Sequence, residues 1–569
     1  MKKIIVYIGI LCTGLLFNSC EDFIDMQPLD RISSNDYWST SADLENYVVQ
    51  FYPNLGGSQM VHSDTGDSDD IVHSSLSSIL NGQRTPATGN WRGDWTNIRN
   101  VNIFFDNYEK CTDAFDFYRH SVGEAHFFRA WFYFGLLKKY GDVPWYTSAL
   151  QIDDEEGLTR PRDSRTVVAD NILADLDKAV EYLSLRSEVN NQHLNRETAL
   201  AFKTRVALYE GTWQKYHAND AFGTPGADPN KYFRQAVSAA EELISGNYTV
   251  GIYDNDSPET DYYEMFGLDN MSSVNEVLLY RAFSSADGMT NNAQHYVTER
   301  NSGKGVTWEL VTSFLGKDGK PYDYVNVGQT VKGNDFLTKI AADCDLRLKA
   351  TVWAPGDLMG IATNQYFVRP GLNDGANWLC QTGFEPKKTS NPSSPAAGDP
   401  GNPQSETGYL IFRYGEVLLN YAEAKCELDG TVAAEQLNLL RRRAGMPDFT
   451  VNPQSADPTR IDYGYPVSDA LYEIRRERRV EMALEGQRDE DLMRWAAHKL
   501  FKGKRPKGYP FLQSEFPEYT VALDENGLVD YWTSFLPNGY QFRENQDYLY
   551  SIPQDELTLN PNLKQNPGW

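Results

Sequence analysis

The sequence predicts a mainly α-helical protein in which antiparallel helix pairs carry a loop-rich region that contains short strands. In the N-terminal third and the C-terminal quarter of the 569 residues, apolar side chains recur at helical spacing. Short turns join these helices, as is typical of antiparallel neighbours. From about residue 246 to 410, Gly, Pro, Asn and Asp interrupt short apolar pieces, which predicts turns and short strands rather than helices.

The N-terminal third contains four expected helices. Residues 124–140 are apolar nearly all round, which is typical of a buried helix. Ser121 and Glu124 fit a capping box at the start of this helix, and Gly141 fits its end. Asn195 is the expected cap of the third helix. The other three helical periods cover residues 166–185, 196–213 and 232–244.

The C-terminal quarter repeats the pattern over residues 412–428, 432–444, 471–485 and from Asp489 or Asp491 through Trp495. Gly430 and Ser468 fit a helix end and a helix cap. Tetratricopeptide-like stacking produces such pairs with a period of about 34 residues, but periodicity alone establishes only antiparallel pairs. Arginines and glutamates alternate at helical spacing over residues 473–485, which indicates ion pairs rather than nucleic-acid binding.

The first 22 residues carry a targeting signal. Lys2 and Lys3 precede an apolar run over residues 4–17, and Cys20 follows. This predicts a signal peptide of residues 1–19, because the run is too short to span a bilayer permanently. Cys20 at the cleavage point resembles the lipobox cysteine of bacterial lipoproteins, whose acylated thiol anchors the protein to a membrane. The alternative is an ordinary signal peptide with a cysteine nearby by chance.

Composition excludes several classes of function. The formal charge is −26, and loss of Lys2 and Lys3 with the signal makes it −28, which disfavours nucleic acid and anionic lipid as partners. Among the cysteines there is no CxxC pair, and a Cys344–Cys380 disulfide remains possible outside the cytoplasm. The acidic run over residues 64–70 does not match an EF-hand loop, and the histidines have no ligand spacing, so no metal is expected.

Aromatic residues make up 13% of the chain, and two groups of them stand among polar residues. A sugar ring stacks its C–H face on an aromatic side chain, while Asp, Asn and Arg bond its hydroxyls. The first group contains Asp70, Arg84, Asn90 and Trp91, and Trp91, in an expected Gly-Asn-Trp-Arg-Gly turn, is the first choice for a stacking residue. The alternative is that Trp91 anchors a buried loop. Trp95 and Trp131, in helical patterns, are expected in the core.

The second group lies in the loop-rich region. It contains Tyr296, Asn301 and Trp308 as expected ligand residues, together with Trp353 and Trp378. Loops on a rigid frame commonly carry recognition. The alternative is that these aromatic side chains pin long loops to the helical frame.

A resemblance to a known family rests on motifs spread over nearly the whole mature chain. The motifs are Arg129-Ala130-Trp131-Phe132-Tyr133-Phe134, Tyr140-Gly141-Asp142-Val143-Pro144, the segment from Arg413 to Ala424, Ile474-Arg475-Arg476-Glu477-Arg478, Glu485-Gly486-Gln487-Arg488, and the ending from Gln565 to Trp569. Together and in this order they resemble the SusD/RagB family of outer-membrane nutrient-binding lipoproteins. Asp489-Glu490 departs from the family's usual aromatic residues at one position.

The resemblance implies a single SusD-like domain over residues 20–569, with tetratricopeptide-like helix pairs as an α-superhelix. The helical frame would cover about 35–245 and 411–500, and the loop-rich region about 246–410. The protein would be lipid-anchored at the outer membrane, exposed at the cell surface, and would deliver glycans to a SusC-like TonB-dependent transporter. No cofactor and no catalytic activity are implied.

Two other functions stay open at this point. A peptide-binding lipoprotein of the RagB type would have a groove with little aromatic exposure. A glycoside hydrolase needs two suitably spaced carboxylates, but 79 acidic residues make some such pair unavoidable, so their presence decides nothing.

Overall fold

The computed structural model describes residues 37–569 apart from residues 57–65, 87–89, 300–302, 376–378, 400 and 403. The predicted signal peptide and Cys20 lie outside the described residues, as do Asn301 and Trp378.

Helices dominate the described chain. In chain order they are α1 Ser41–Val49, α2 Trp91–Phe105, α3 Phe115–Tyr140, α4 Glu155–Leu158, α5 Arg165–Tyr182, α6 Arg186–Val189, α7 Arg196–Tyr216, α8 Pro229–Ser245, α9 Asp261–Gly267, α10 Ala293–Thr298, α11 Trp308–Val311, α12 Tyr324–Thr330, α13 Gly333–Asp343, α14 Leu346–Thr351, α15 Tyr414–Asp429, α16 Ala434–Arg443, α17 Asp469–Glu481, α18 Arg488–Arg494 and α19 Gln554–Leu559.

Six short strands form antiparallel pairs within the described residues. They are β1 Ile71–Val72, β2 Val277–Arg281, β3 Gly305–Val306, β4 Leu358–Gly360, β5 Gln365–Tyr366 and β6 Tyr409–Arg413. Strand β1 pairs with β3, β2 with β6, and β4 with β5. The mainly α-helical fold with short strands is therefore confirmed.

The expected caps are confirmed at four helix ends, one of which is Gly141 at the end of α3. The side chain of Asn195 accepts a hydrogen bond from the Thr198 amide at 2.9 Å, and Ser468 Oγ accepts one from the Leu471 amide at 3.2 Å. Gly430 ends α15 in the left-handed conformation, with φ +80°, where glycine carries no steric cost.

The predicted start of α3 is wrong. This helix begins at Phe115, after the cap residue Ala114, and Ser121 and Glu124 lie buried inside it. Glu124 instead accepts a hydrogen bond from the Tyr52 hydroxyl. The capping-box pattern was a coincidence of spacing, because the helix continues one and a half turns N-terminal to it, through the more polar residues 115–120.

Most contacts of the helical frame join helices that are close in sequence, and α15 adds a distant one. Helix α3 packs against α5, α5 against α7, α7 against α8, and α15 against both α7 and α8. One large apolar cluster runs through all of these contacts and includes residues from both termini of the described chain. Within the described residues, no helix has both the length and the apolar character that a membrane span requires.

The loop-rich region contains more helix than the sequence predicted. Six helices, α9 to α14, lie in the described part of residues 246–410. The residues interpreted as breaks act as caps: Asp323 caps α12 and Asp345 caps α14. Five of these helices have four to seven residues, too few for a helical period to be recognised. The prediction of turns and strands alone was wrong here.

The charged residues of α17 form ion pairs, but mostly with other elements. Arg475 contacts Glu427 at 3.2 Å, and Arg478 contacts Asp491 at 2.9 Å. Each of these four side chains is at most 5% exposed. The alternating charges therefore tie a buried central helix to its surroundings.

The four described cysteines, Cys111, Cys344, Cys380 and Cys426, are buried and free. Burial raises the pKa of Cys344 and of Cys380 to about 12, so both thiols stay protonated at neutral pH. The possible Cys344–Cys380 disulfide is not formed.

Candidate ligand-binding groove

The two groups of candidate residues meet where β1 pairs with β3. Ile71 lies opposite Val306, and the Thr307 amide donates to the Asp70 carbonyl at 2.9 Å. Thr307 Oγ1 also donates to the Asp69 carbonyl at 2.6 Å. Segments more than 230 residues apart therefore join, although most of their candidate side chains point into the protein.

Asp70 is buried in an ion-pair cluster. Its Oδ1 accepts from Arg479 Nε at 2.7 Å, and the neighbouring Asp69 accepts from Arg488 Nε at 2.6 Å. Burial opposes ionisation of Asp69, but the guanidinium groups of Arg479 and Arg488 hold its pKa below the ordinary value. In this structure Asp70 fastens β1 to α17, and its carboxylate does not face solvent.

Arg84 is also buried. Its guanidinium donates to the Asp547 carbonyl and lies 4.3 Å from the centre of the Tyr550 ring. Burial lowers the pKa of Arg84, an effect that Asp547 opposes. Arg84 thus attaches its loop to the C-terminal segment.

Trp308 and Trp353 are buried, so these two residues of the second group anchor loops, as in the alternative given above, and do not face a ligand. Trp308 is 9% exposed and stacks on Phe336 at 5.9 Å between ring centres. Trp353 is 1% exposed, and its indole nitrogen donates to the Val297 carbonyl at 3.0 Å. Tyr296, in α10, is half-buried.

Trp91 does not lie in a turn, because it is the first residue of α2. Asn90 is exposed and occupies the cap position without a side-chain capping bond. The Trp91 ring contacts Tyr140 edge to face at 4.8 Å and Trp95 at 5.5 Å, which leaves Trp91 6% exposed. The predicted turn fails because Trp91-Arg92-Gly93-Asp94 form the first helical turn, with acidic Asp94 favourably placed at its positive end.

Trp95 is the aromatic side chain that remains accessible on this helix. It was expected in the core, but it is half-buried and forms one wall of a groove of about 690 Å³. Tyr146 meets it edge to face at 5.7 Å. Because Trp91 and Trp95 lie one turn apart on one face of α2, the first ring supports the second.

Three segments enclose this Trp95 groove: α2, residues 144–159 and residues 556–563. Its polar lining includes Thr96, Arg99, Asn100, Asn102, Ser148 and Glu155, and its apolar lining includes Ile98, Leu150, Leu158, Leu559 and Leu563. A mostly apolar concave surface with a few polar groups is the usual character of a small-molecule site.

Asn102 supplies an unused acceptor to the groove lining. Its Nδ2 donates to the carbonyls of Tyr146 and Ser148 at 3.0 and 3.2 Å. Its Oδ1 is buried and has no hydrogen-bond partner among the residues that the structure describes. Buried polar atoms are normally paired, so this acceptor is one hydrogen bond short within the described residues.

Two further contacts fix the groove's shape. The Tyr146 hydroxyl donates to the Gly157 carbonyl at 2.9 Å, and burial raises the pKa of Tyr146 to about 12, so it remains a neutral donor. Arg92 contacts Asp555 at 3.1 Å and so joins α2 to α19.

No group of three or more potential metal ligands occurs in the described part of the chain.

The sequence predicted Trp91 as the exposed stacking residue, but the structure buries Trp91 in the lining of the groove. The prediction did not include Trp95 as a ligand residue, nor Tyr146 or Asn102. Helical periodicity places Trp95 on the inner face of α2, and only the gap between residues 144–159 and the C-terminal segment exposes it. An accessible aromatic groove on a stacked-helix frame defines a helical ligand-binding scaffold.

Comparison with known proteins identifies this scaffold. The SusD family model matches residues 253–569, more than half of the chain. A second model, described as starch-binding associating with outer membrane, matches residues 22–208. The chain belongs to the SusD family, and the predicted SusD/RagB resemblance is confirmed.

Relatives align along nearly the full length. SusD-like protein P2 of Formosa agariphila is 23% identical over 100% of both chains, and a SusD-like protein of Bacteroides ovatus is 23% identical over 97% of this chain and 92% of its own.

Solved structures share the fold. A SusD-like protein of Bacteroides fragilis superposes with a TM-score of 0.71 at 22% identity, over 95% of this chain and 100% of that chain. A SusD-like carbohydrate-binding protein of the same species has a TM-score of 0.71 at 22% identity, over 93% and 100%. At such identities the similarity establishes the architecture, and the site must be argued from this chain.

Proposed function

We propose that the protein is a glycan-binding lipoprotein of the outer membrane that holds an oligosaccharide in the Trp95 groove. The observation that carries this proposal is the half-exposed indole of Trp95 in a groove that Asn102, with its unpartnered Oδ1, also lines. An indole face accepts the C–H side of a sugar ring, and an amide oxygen accepts a hydroxyl proton. The family described as starch-binding, and the carbohydrate-binding relative, support the same class of ligand.

Binding in this groove should be weak enough for release. A fully buried aromatic side chain removes about 150–250 Å² from water, and a sugar would cover about a quarter of that on Trp95, worth about 1–1.5 kcal/mol at ~25 cal/mol per Å². After the cost of association, a few such contacts support micromolar to millimolar affinity. This suits a protein that passes its cargo on.

The anchor and the partner complete the proposal. Cys20 would carry the lipid, placing the domain on the outer leaflet, and a SusC-like TonB-dependent transporter would receive the glycan. The protein itself would perform no catalysis. The strongly negative charge of the chain is compatible with a neutral or cationic ligand and disfavours a polyanionic one.

A screen of neutral oligosaccharides against the purified mature protein, followed by calorimetry, tests the ligand class. We expect Trp95→Ala to weaken binding of the best oligosaccharide about tenfold, because about 1.4 kcal/mol is tenfold in Kd. The matched control is Tyr366→Ala, which removes a 49% exposed ring from the β4–β5 hairpin in the loop-rich region.

Three results would contradict the proposal in different ways. Loss of binding in Tyr366→Ala but not in Trp95→Ala would move the site to the loop-rich region. Turnover of the oligosaccharide by the purified protein would show an enzyme. Binding of peptides but not of any glycan would support the RagB-type alternative. The exposed leucines of the groove lining favour this alternative, since Leu158 is 46% exposed and Leu559 is 68% exposed.

A further inference from the structure

A second cavity is lined by a different set of residues of the helical frame. It has a volume of about 350 Å³ and is lined by α3, α7 and α15 together with residues 388–389, 408–411 and 482–490. We call it the Trp131 cavity. It shares no lining residue with the Trp95 groove, and its volume is at the lower end of small-molecule sites.

Gly135 in the lining of this cavity has no packing explanation. It lies in the middle of the 26-residue helix α3, where glycine is less favourable than any residue except proline. A Cβ at this position would meet no atom within 4 Å among the described residues. The space above Gly135 is therefore open, and no neighbouring side chain in the described structure requires the glycine.

Trp131 forms an aromatic wall one turn before Gly135. Trp131 was expected in the core, but its ring is half-buried. The ring is held by Phe202 at 5.2 Å and Phe412 at 6.0 Å between ring centres. These contacts fix the indole from behind while part of it faces the cavity. A fixed, partly open indole is suited to stack on the C–H face of a ring.

The charged side chains of the lining are already paired. Arg205 donates to both oxygens of Glu416 at 2.6 and 2.7 Å, Lys388 contacts Glu485 at 2.7 Å, and Lys138 pairs with Glu490. The remaining charged lining residue, Arg413, contacts Glu485 at 2.8 Å. An ionic ligand would find no uncompensated charge and would lose its hydration, whereas a neutral hydroxyl can bond to paired charges.

Thr389 supplies an unused polar atom. Its Oγ1 is buried and has no hydrogen-bond partner among the described residues. Its backbone has φ +77°, and that of the nearby lining residue Leu484 has φ +61°, conformations that are costly for non-glycine residues and that concentrate at functional sites.

From these features we infer that the Trp131 cavity binds one neutral polyhydroxylated ring, of the size of a monosaccharide. The ring lies over Gly135, stacks on Trp131 and bonds a hydroxyl to Thr389. This site is separate from the groove and does not depend on what the groove binds.

The test compares Gly135→Ala with Gly135→Leu in the mature protein. Titrations use D-glucose, D-galactose, D-mannose, D-xylose and N-acetyl-D-glucosamine, followed by ligand-observed NMR. We expect at least one sugar to saturate wild type and Gly135→Ala to bind it within about threefold. Gly135→Leu should bind it at least tenfold more weakly, because its side chain occupies the open space above position 135 where the ring is proposed to lie. Both variants should melt no lower than wild type, since both residues favour the helix.

A second variant, Thr389→Val, keeps the side-chain shape and removes the hydroxyl, and should weaken the same sugar about fivefold. Trp95→Ala should leave monosaccharide binding unchanged, which separates this inference from the groove. The inference is overturned if no sugar of the panel saturates wild type, or if Gly135→Leu binds as wild type does while remaining folded.

Discussion

The role of Asp70 can be decided by one substitution, Asp70→Ala. The sequence predicts a ligand residue, whereas the structure places its Oδ1 2.7 Å from Arg479 Nε, with both side chains 2% exposed. Arg479 lies 409 residues away on α17. If the pair is structural, removing the carboxylate destabilises the fold and leaves ligand affinity unchanged.

The expected loss in the free energy of unfolding depends on the ion pair that Arg479 keeps after Asp70 is removed. Removing one partner of a buried ion pair typically costs about 3–5 kcal/mol because a buried charge loses its compensation. Asp69 Oδ2 remains 3.1 Å from Arg479 Nη2, so we expect the lower end, about 3 kcal/mol. Asp70→Asn keeps an acceptor for Nε and should cost about 1–2 kcal/mol, the difference between a charged and a neutral hydrogen bond.

Urea unfolding followed by circular dichroism measures the stability change, and calorimetry in native buffer measures oligosaccharide affinity. The matched control is Asp177→Ala, whose carboxylate is 59% exposed and pairs with Lys203. An exposed pair contributes about 0–1 kcal/mol. The structural assignment is refuted if Asp70→Ala unfolds at the wild-type urea concentration and binds oligosaccharide tenfold more weakly.

Three further predictions follow from the same structure. Trp308→Ala should lower the free energy of unfolding by about 3–5 kcal/mol, as for other buried aromatic residues, with oligosaccharide affinity unchanged; loss of affinity at constant stability would restore it as a ligand residue. Burial lowers the pKa of Lys388 to about 8 from 10.5, against the effect of Glu485. Below about pH 8 the lysine is charged in both states, and burying that charge lowers the stability of the fold. As the pH rises from about 8 to about 10.5, the free energy of unfolding of wild type should therefore rise by up to about 3 kcal/mol relative to Lys388→Met. A pH-independent difference in urea midpoints would contradict this. Cys20→Ala should release the protein from the membrane fraction, whereas Cys12→Ala, within the predicted signal, should remain attached; attachment of both would argue against acylation.

The helical frame could be predicted because its signals are local. Asn195, Ser468 and Gly430 cap helices that the apolar period also identifies, and each cap acts on a backbone group within a few residues. The start of α3 could not be found in this way. Its first turn contains Phe115 and Phe117, which are 39% and 76% exposed, and so lacks the apolar period that marks the rest of the helix.

The candidate site was harder to predict because exposure of a tryptophan depends on distant segments. Trp91 and Trp95 have the same residue type and lie on the same helix face. Tyr140 covers the first, while the second opens to the space beside Tyr146. The sequence likewise predicts Asp70 as a ligand residue, because it carries no sign that α17 brings Arg479 to its carboxylate. Periodicity specifies the face of a helix, but it carries no information on which other segment covers that face.

Helix α3 is the reason why the two proposed sites, the Trp95 groove and the Trp131 cavity, should act independently. Tyr133 and Tyr140 are seven residues apart and so share one face, where they contact Trp95 and Trp91. Trp131, Gly135 and Lys138 share another face, which lines the Trp131 cavity. Tyr133 and Gly135 are about 200° apart around the helix axis. A substitution on one face therefore reaches the other only by moving a helix that is packed along its length against α5 and α2. In the double variant, Trp95→Ala should therefore weaken the oligosaccharide, and Gly135→Leu the monosaccharide, by the same factors as in the single variants. This is expected for sites without shared contacts.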